Sequence, residues 1–164
     1  MREYKGKIWL LGDDIDTDII LSTEYLAFQT IEEMKPYAFS PLRPELAGNI
    51  QPGDILAAGW NFGCGSSREQ APEVVKALGV RVIIAKSYAR IFYRNAVNNG
   101  LLLIEQKEFA DQVQEGDEAL VSEDGVILCA GKKFPFQPLP KRLMDIIEAG
   151  GLVPAMRKIN GLSE

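Results

Sequence analysis

The sequence predicts an α/β fold with a mixed, mainly parallel sheet flanked by helices. Three observations carry this. Between Asp54 and Ile104, three apolar β-rich runs alternate with two segments of helical spacing, which implies parallel pairing through right-handed crossovers. Gly79 and Gly100 stand where those helices should stop. Further on, Glu118–Val121 and Val126–Ala130 flank Glu123-Asp124-Gly125, the pattern of an antiparallel pair. The 164 residues fit one domain, 1–164, and a hydrophobic fraction of 46% is enough for a core.

The elements follow in order. Lys7–Leu11 is a short apolar strand after Gly6. Gly12–Asp18 is an acidic loop that leads into Ile19-Ile20-Leu21. Its four aspartates suggest a calcium loop, but the glycine and distal Glu of an EF-hand are missing, so a solvated turn is expected. Thr23–Ser40 has room for a short helix, with Thr30 as N-cap and Glu33 completing a capping box amid Pro36, Pro41 and Pro44. Asp54–Ala58 reads as a strand after the Pro52-Gly53 turn. A glycine loop and a helix to about Leu78 come next. Arg81–Ala85 is a buried strand, Ser87 caps a helix over Tyr88–Asn99, and Leu101–Ile104 is the following strand. Glu108–Gln114 suits a short helix and Lys141–Ala149 an amphipathic one ended by Gly150-Gly151. Val153–Ile159 adds a last turn or short helix.

The richest chemistry lies in Asn61-Phe62-Gly63-Cys64-Gly65-Ser66-Ser67-Arg68-Glu69-Gln70-Ala71. Glycines let backbone approach a ligand closely. A serine at a helix start caps free N–H groups, and the helix N-terminus attracts anions. Arg68 adds a planar fork for a carboxylate or phosphate. The residues alone fit either a structural strand–turn–helix or a site for a small anion beside a hydroxyl. The doubled serine and the arginine favour the site, because one serine suffices for a cap.

Composition narrows the mechanism. A net charge of −5 argues against a general nucleic-acid surface. No apolar run approaches the roughly 20 residues of a membrane span. Met1–Lys5 lacks a signal-peptide core, so the cytoplasm is the expected location. Two cysteines, Cys64 and Cys129, are too few to hold an iron–sulfur cluster alone. The chain has no histidine, which removes a Ser-His-Asp triad, a His-ligated zinc and a His base from within it.

Three blocks resemble the small subunit of 3-isopropylmalate dehydratase, the detached swivelling domain of the aconitase superfamily. They are Gly12-Asp13-Asp14-Ile15-Asp16-Thr17-Asp18, Asn61–Ala71, and Ala85-Lys86-Ser87-Tyr88-Ala89-Arg90-Ile91-Phe92-Tyr93-Arg94-Asn95. The closing Ala149-Gly150-Gly151-Leu152 is similar to the family's C-terminal end. Gln70 departs from the pattern, since many members have His there. The resemblance covers essentially the whole chain and implies an aconitase-type swivelling domain with a β/β/α arrangement.

The resemblance also implies a hydro-lyase that works only with a large subunit, as a heterodimer or heterotetramer. That partner holds a 4Fe–4S cluster; this chain alone binds no cofactor. The substrate is a small dicarboxylic hydroxy acid, with neither nucleic acid nor membrane as a partner. On this pattern Ser66 is the base, Asp18 supports the active-site network, and Ser67 and Arg68 bind substrate carboxylate. Tyr25, Leu26, Ala27 and Phe28 face the variable group of the substrate. Ala27 and Phe28, with no arginine among the four, favour an apolar group such as isopropyl over the extra carboxylate of homoaconitate. Related substrates remain open, namely homoaconitate, 2,3-dimethylmalate and citraconate or methylmalate, as does a non-catalytic anion-binding module. Arg43, Arg90 and Arg94 are further cations, with Arg90 and Arg94 on one helix face. Lys86, Ser87 and Arg90 follow a parallel strand, where α/β sites commonly form. Cys64 reads as a buried small residue.

Overall fold

Strand β1 (Glu3–Leu10) is the pivot of a seven-stranded sheet. Its first half, Glu3–Lys7, pairs antiparallel with β5 (Glu118–Ser122). Its second half, Ile8–Leu10, pairs parallel with β2 (Ile55–Ala57). The parallel side continues through β3 (Val82–Ala85) and β4 (Leu102–Glu105). The antiparallel side continues through β6 (Val126–Cys129) and β7 (Lys132–Pro135). The order is β4-β3-β2-β1-β5-β6-β7, the mixed sheet expected from the sequence. The computed structural model of the chain describes residues 2–161; Met1, part of the N-terminal leader reading, lies outside them.

The expected parallel strands are short apolar runs because both faces of the sheet are covered. Ile55, Ala57, Val82, Ile84, Leu102 and Ile104 enter one core with Phe109, Val121, Ile127 and Phe134. Leu56, Ile83 and Leu103 enter the other with Phe39, Phe62, Val74, Val75 and Phe92. Helices α1 (Thr17–Ile20), α2 (Ile31–Met34), α3 (Leu46–Asn49) and α4 (Gln70–Ala77) contribute to the second core. Helix α5 (Arg90–Asn98) serves both, placing Phe92 and Ala96 in one and Val97 in the other. Helices α6 (Phe109–Gln112) and α7 (Lys141–Ala149) cover the first, and α8 (Leu152–Ile159) packs on α7.

Several local expectations change. β1 starts four residues early because Glu3–Lys7 find a partner in β5. Thr17–Ile20 forms a helical turn capped by Asp16, whose carboxylate accepts from Ile19 N–H at 2.9 Å. Thr30 accepts from Glu33 N–H at 3.2 Å as expected, while its hydroxyl donates to Glu33 Oε1. Ser87 does not cap α5, whose N-cap is Ala89; the Ser87 hydroxyl instead accepts from Asn61 N–H at 2.8 Å. The serines do not cap α4 either, since that helix begins at Gln70 after Glu69. Strand β7 lay hidden in Lys-Lys-Phe-Pro, whose charges and terminal proline suit only an edge.

Candidate active site

The acidic segment is no free turn. It extends the β1–β2 pairing beyond the sheet. Leu11 N–H donates to Ala57 O, Gly59 N–H to Gly12 O, Asp14 N–H to Trp60 O, Gly63 N–H to Ile15 O and Thr17 N–H to Cys64 O, all within 2.8–3.1 Å. The aspartates serve this seam. Asp13 accepts from Trp60 N–H at 2.8 Å and Asp14 from the Asn61 amide at 3.0 Å. Among the described residues no group of three His, Cys, Asp or Glu side chains is placed to hold a metal ion.

This docking fixes the glycine loop. The buried Thr17 donates its hydroxyl to Ser66 O at 2.7 Å. Gly63 has φ +84°, and any side chain there would collide with the Phe92 ring, so only glycine lets α5 approach. The side chains of Ser66 and Ser67 are exposed and make no hydrogen bond among the described residues. The backbone N–H groups of Gly65 to Glu69 likewise have no acceptor there. Free N–H groups in a turn form a concavity that suits an anion.

Arg68 is held firmly. Its Nη1 donates to Leu21 O at 2.8 Å, and its Nη2 reaches Thr23 Oγ1 at 3.0 Å and Asp18 Oδ1 at 2.5 Å. Two residues assigned from separate motifs, Asp18 and Arg68, thus form one ion pair. Because Nη2 already serves two partners, the guanidinium's remaining donors do not form a free two-pronged edge. The same contacts tie the glycine loop to the turn at Thr23–Ala27. Within and beside that turn, Tyr25 stacks on Tyr37 with ring centroids 4.3 Å apart, and Phe28 tilts against both. Ala27 is exposed, Leu26 half-buried, and none of Tyr25–Phe28 lines the groove beside Ser66.

That groove, of about 840 Å³, runs between the glycine loop and α5. Ser66, Ser67 and Arg68 line it from the loop, Arg90, Ile91, Tyr93 and Arg94 from α5, and Glu105 also lines it. Burial pushes the Tyr88 phenol well above its ordinary range, with Tyr93 adding to the shift. Its hydroxyl lies 2.9 and 2.7 Å from the carbonyl oxygens of Ile83 and Ile104. Tyr93 is shifted upward by burial and by Glu105. Both phenols therefore stay protonated at neutral pH. Burial, then Asp16 and Asp14, raise the Cys64 thiol, which is partly rather than fully buried. Cys129 is buried in β6, its thiol also raised by burial.

The remaining cations separate. Arg43 is a structural clamp that donates to Glu115 at 2.6 and 3.1 Å and to Glu45 at 3.0 Å. Lys86 pairs with Asp111 at 2.7 Å. Arg90, expected near a site from its place after a parallel strand, faces the groove together with Arg94. Their i, i+4 spacing was the available signal; the side on which α5 meets the loop was not. Thr17 was missed as a support of Ser66 because its bond joins residues 49 apart.

Comparison with known proteins identifies the family and the fold. The aconitase C-terminal domain family matches residues 46–109, which include the glycine loop, β3 and α5. A 3-isopropylmalate dehydratase small subunit of Lachnospira eligens is 66% identical over 98% of both chains. A homoaconitase small subunit of Thermus thermophilus is 47% identical over 93% of this chain and 94% of its own. The crystal structure of a 3-isopropylmalate dehydratase from Methanocaldococcus jannaschii superposes with a TM-score of 0.91 at 36% identity, covering 97% of this chain and 96% of that one. The chain belongs to the family of 3-isopropylmalate dehydratase small subunits, within the aconitase superfamily.

Proposed function

We propose that the chain, as one swivelling domain over 1–164, is the proton-handling half of a two-subunit cytoplasmic hydro-lyase. The reaction is the isomerisation of 2-isopropylmalate to 3-isopropylmalate through isopropylmaleate. The observation that carries this reading is the exposed Ser66-Ser67 pair beside the Asp18–Arg68 ion pair, in a chain 66% identical to a 3-isopropylmalate dehydratase small subunit. The 4Fe–4S cluster belongs to the large subunit and supplies the Lewis acid for the substrate hydroxyl and a carboxylate. Among the described residues no helix is long and apolar enough to cross a membrane.

The work of this chain is the proton. Ser66 Oγ takes it from the carbon next to a carboxylate, and hydroxide departs from the neighbouring carbon as the double bond forms. Rehydration with the opposite regiochemistry returns the proton. A serine hydroxyl is a weak base, so its alkoxide needs fixed partners. The free N–H groups of Gly65 to Glu69 supply them without reorganisation. Thr17 holds the Ser66 carbonyl, so the side chain points from a pinned backbone. Ser67 and Arg68 receive substrate carboxylate, with Arg68 offering single donors while Asp18 keeps its orientation.

The test is reconstitution. The chain alone is expected to be inactive. Mixed anaerobically with its cluster-bearing partner, it should interconvert the two isopropylmalates; turnover by the isolated chain would overturn the split site. A homoaconitate-type substrate is the second reading, favoured by the 47% identity to a homoaconitase small subunit. The lack of an arginine among Tyr25–Phe28 favours an apolar substrate group instead. Ala27→Arg should raise kcat/KM for the tricarboxylic substrate relative to isopropylmalate by about tenfold, the scale of one charge-assisted hydrogen bond. An unchanged ratio places the Tyr25–Phe28 turn outside the substrate pocket.

A further inference from the structure

The groove beside Ser66 is larger than its substrate requires. Its volume of about 840 Å³ approaches the upper end of the roughly 300–1,000 Å³ that pockets offer to drug-sized ligands. A hydroxy acid of about a dozen heavy atoms leaves much of that space to something else. The α5 side of the groove has the composition of a protein contact. Ile91 is 50% exposed on the first turn of α5, between Arg90 and Arg94. Neither arginine lies within 4.0 Å of a carboxylate or donates a hydrogen bond among the described residues. Arg43, Arg68 and Lys86, by contrast, are all committed to acidic partners within this chain. Two free guanidiniums flanking an exposed isoleucine, in a chain of net charge −5, are a local reversal of the molecule's overall sign.

We infer that Arg90, Ile91 and Arg94 form a docking lip for the large subunit, whose facing surface carries carboxylates opposite the two arginines and an apolar patch opposite Ile91. This rests on the two-subunit reading above. Ser66 must be presented to chemistry held by another chain, so the groove's open side is covered when the enzyme is assembled. Arginine suits such a lip because its planar fork binds carboxylates in two-pronged fashion and its weak hydration eases burial. The apolar residue supplies the desolvated centre that interfaces use. Opposite charges also speed association, and that contribution fades with salt.

The experiment measures affinity and turnover separately, with the full chain and the cluster-bearing large subunit from the same genome. Arg94→Glu and Ile91→Asp should each raise the dissociation constant of the subunits by about tenfold or more. Turnover lost at limiting partner should return as the large subunit is raised toward saturation. Arg94→Lys should restore part of the affinity, and Arg94→Glu should flatten its salt dependence. Lys158→Glu, on α8, makes the same charge change elsewhere and should leave affinity unchanged. Equal thermal midpoints for wild type and variants exclude misfolding as the cause. Unchanged affinity with a raised KM would assign the arginines to substrate and overturn the lip. Unchanged affinity and KM would overturn it as well. A wild-type chain that neither binds nor activates the large subunit would overturn the parent reading and this surface together.

Discussion

The two halves of the sheet use the same pivot strand for different ends. On the parallel side, β1–β4 run into loops at one edge, and those loops carry polar side chains that line the groove: Ser66, Ser67, Arg68 and, on the helix after β3, Arg90 and Arg94. On the antiparallel side, β5–β7 are joined by short turns at Glu123-Asp124-Gly125 and Ala130-Gly131. Their inward residues Val121, Ile127 and Phe134 are buried, while alternate positions face outward. Parallel strands need long crossovers, and each crossover leaves a loop and a helix start at the same edge. Antiparallel strands need only turns and so gather little chemistry. The groove collects on one half because of its connectivity.

Substitutions that separate activity from stability test this division. The largest expected effect belongs to Ser66→Ala. In the reconstituted enzyme kcat should fall by about 10²–10⁴-fold, the usual worth of a general base, because no histidine replaces it. Ser66 is exposed, so the thermal midpoint should not move. Near-normal kcat would transfer the base to another residue. Phe134→Ala should do the reverse. Phe134 is 3% exposed and packs edge-to-face on Phe109 at 5.0 Å, so its loss should cost about 3–5 kcal/mol of stability. Denaturant unfolding reads this directly, and kcat per folded molecule should hold. A matching loss of kcat would mean that the halves are coupled.

The same contrast explains what was legible in the sequence. The strands β2, β3 and β4 announced themselves because burial on both faces forces an unbroken apolar run. The glycine loop was legible because its turn, hydroxyls and cation are consecutive. The partners of that loop were not derivable from spacing. Asp18 meets Arg68 from 50 positions away in the chain, a contact set by the β1–β2 register. Arg90 and Arg94 could be placed on one helix face. Which face turns to Ser66 depends on Phe92 packing against the bare backbone of Gly63. Ser87 shows how a local signal misleads: it has the sequence position of a cap, yet a loop N–H from Asn61 claims its oxygen. The charged half of β1 and all of β7 lacked apolar runs and became strands through their neighbours.

Glycine substitution offers a smaller, paired test. Gly63 and Gly131 both hold positive φ, +84° and +74°. At Gly131 nothing lies near the position of an added side chain, so Gly131→Ala should cost only the left-handed backbone penalty of about 1–2 kcal/mol. Gly63→Ala adds a collision with Phe92, raising the expected loss to about 2–5 kcal/mol. It should also lower kcat, because relief of the collision moves α5 or the serine loop. Equal losses at the two glycines would mean that the Phe92 contact does not constrain the site.

The smallest effect sits on the seam between the halves. Glu115 precedes β5, accepts from Leu10 N–H at 3.0 Å, and receives the Arg43 fork at 2.6 and 3.1 Å. The hydrogen bond from Arg43 holds its carboxyl below the ordinary glutamate range. A depressed carboxylate contributes stability that is complete above the unfolded value, near 4.3, and is lost as pH falls through the lower folded value. Both side chains are partly exposed, 26% for Arg43 and 37% for Glu115, so screening limits the contribution to less than about 1 kcal/mol. Glu115→Gln should therefore be slightly less stable than wild type at neutral pH, and the two stability curves should converge as pH falls through the depressed folded value. Added salt should narrow the neutral-pH gap. Neither Glu115 nor Arg43 lines the groove, so kcat should be unchanged. A pH-independent gap would mean that Glu115 acts through its bond to Leu10 N–H alone. A fall in kcat would show that strain at the end of β1 reaches Asp18 through the segment that follows it, and the separation of the halves would fail at the strand they share.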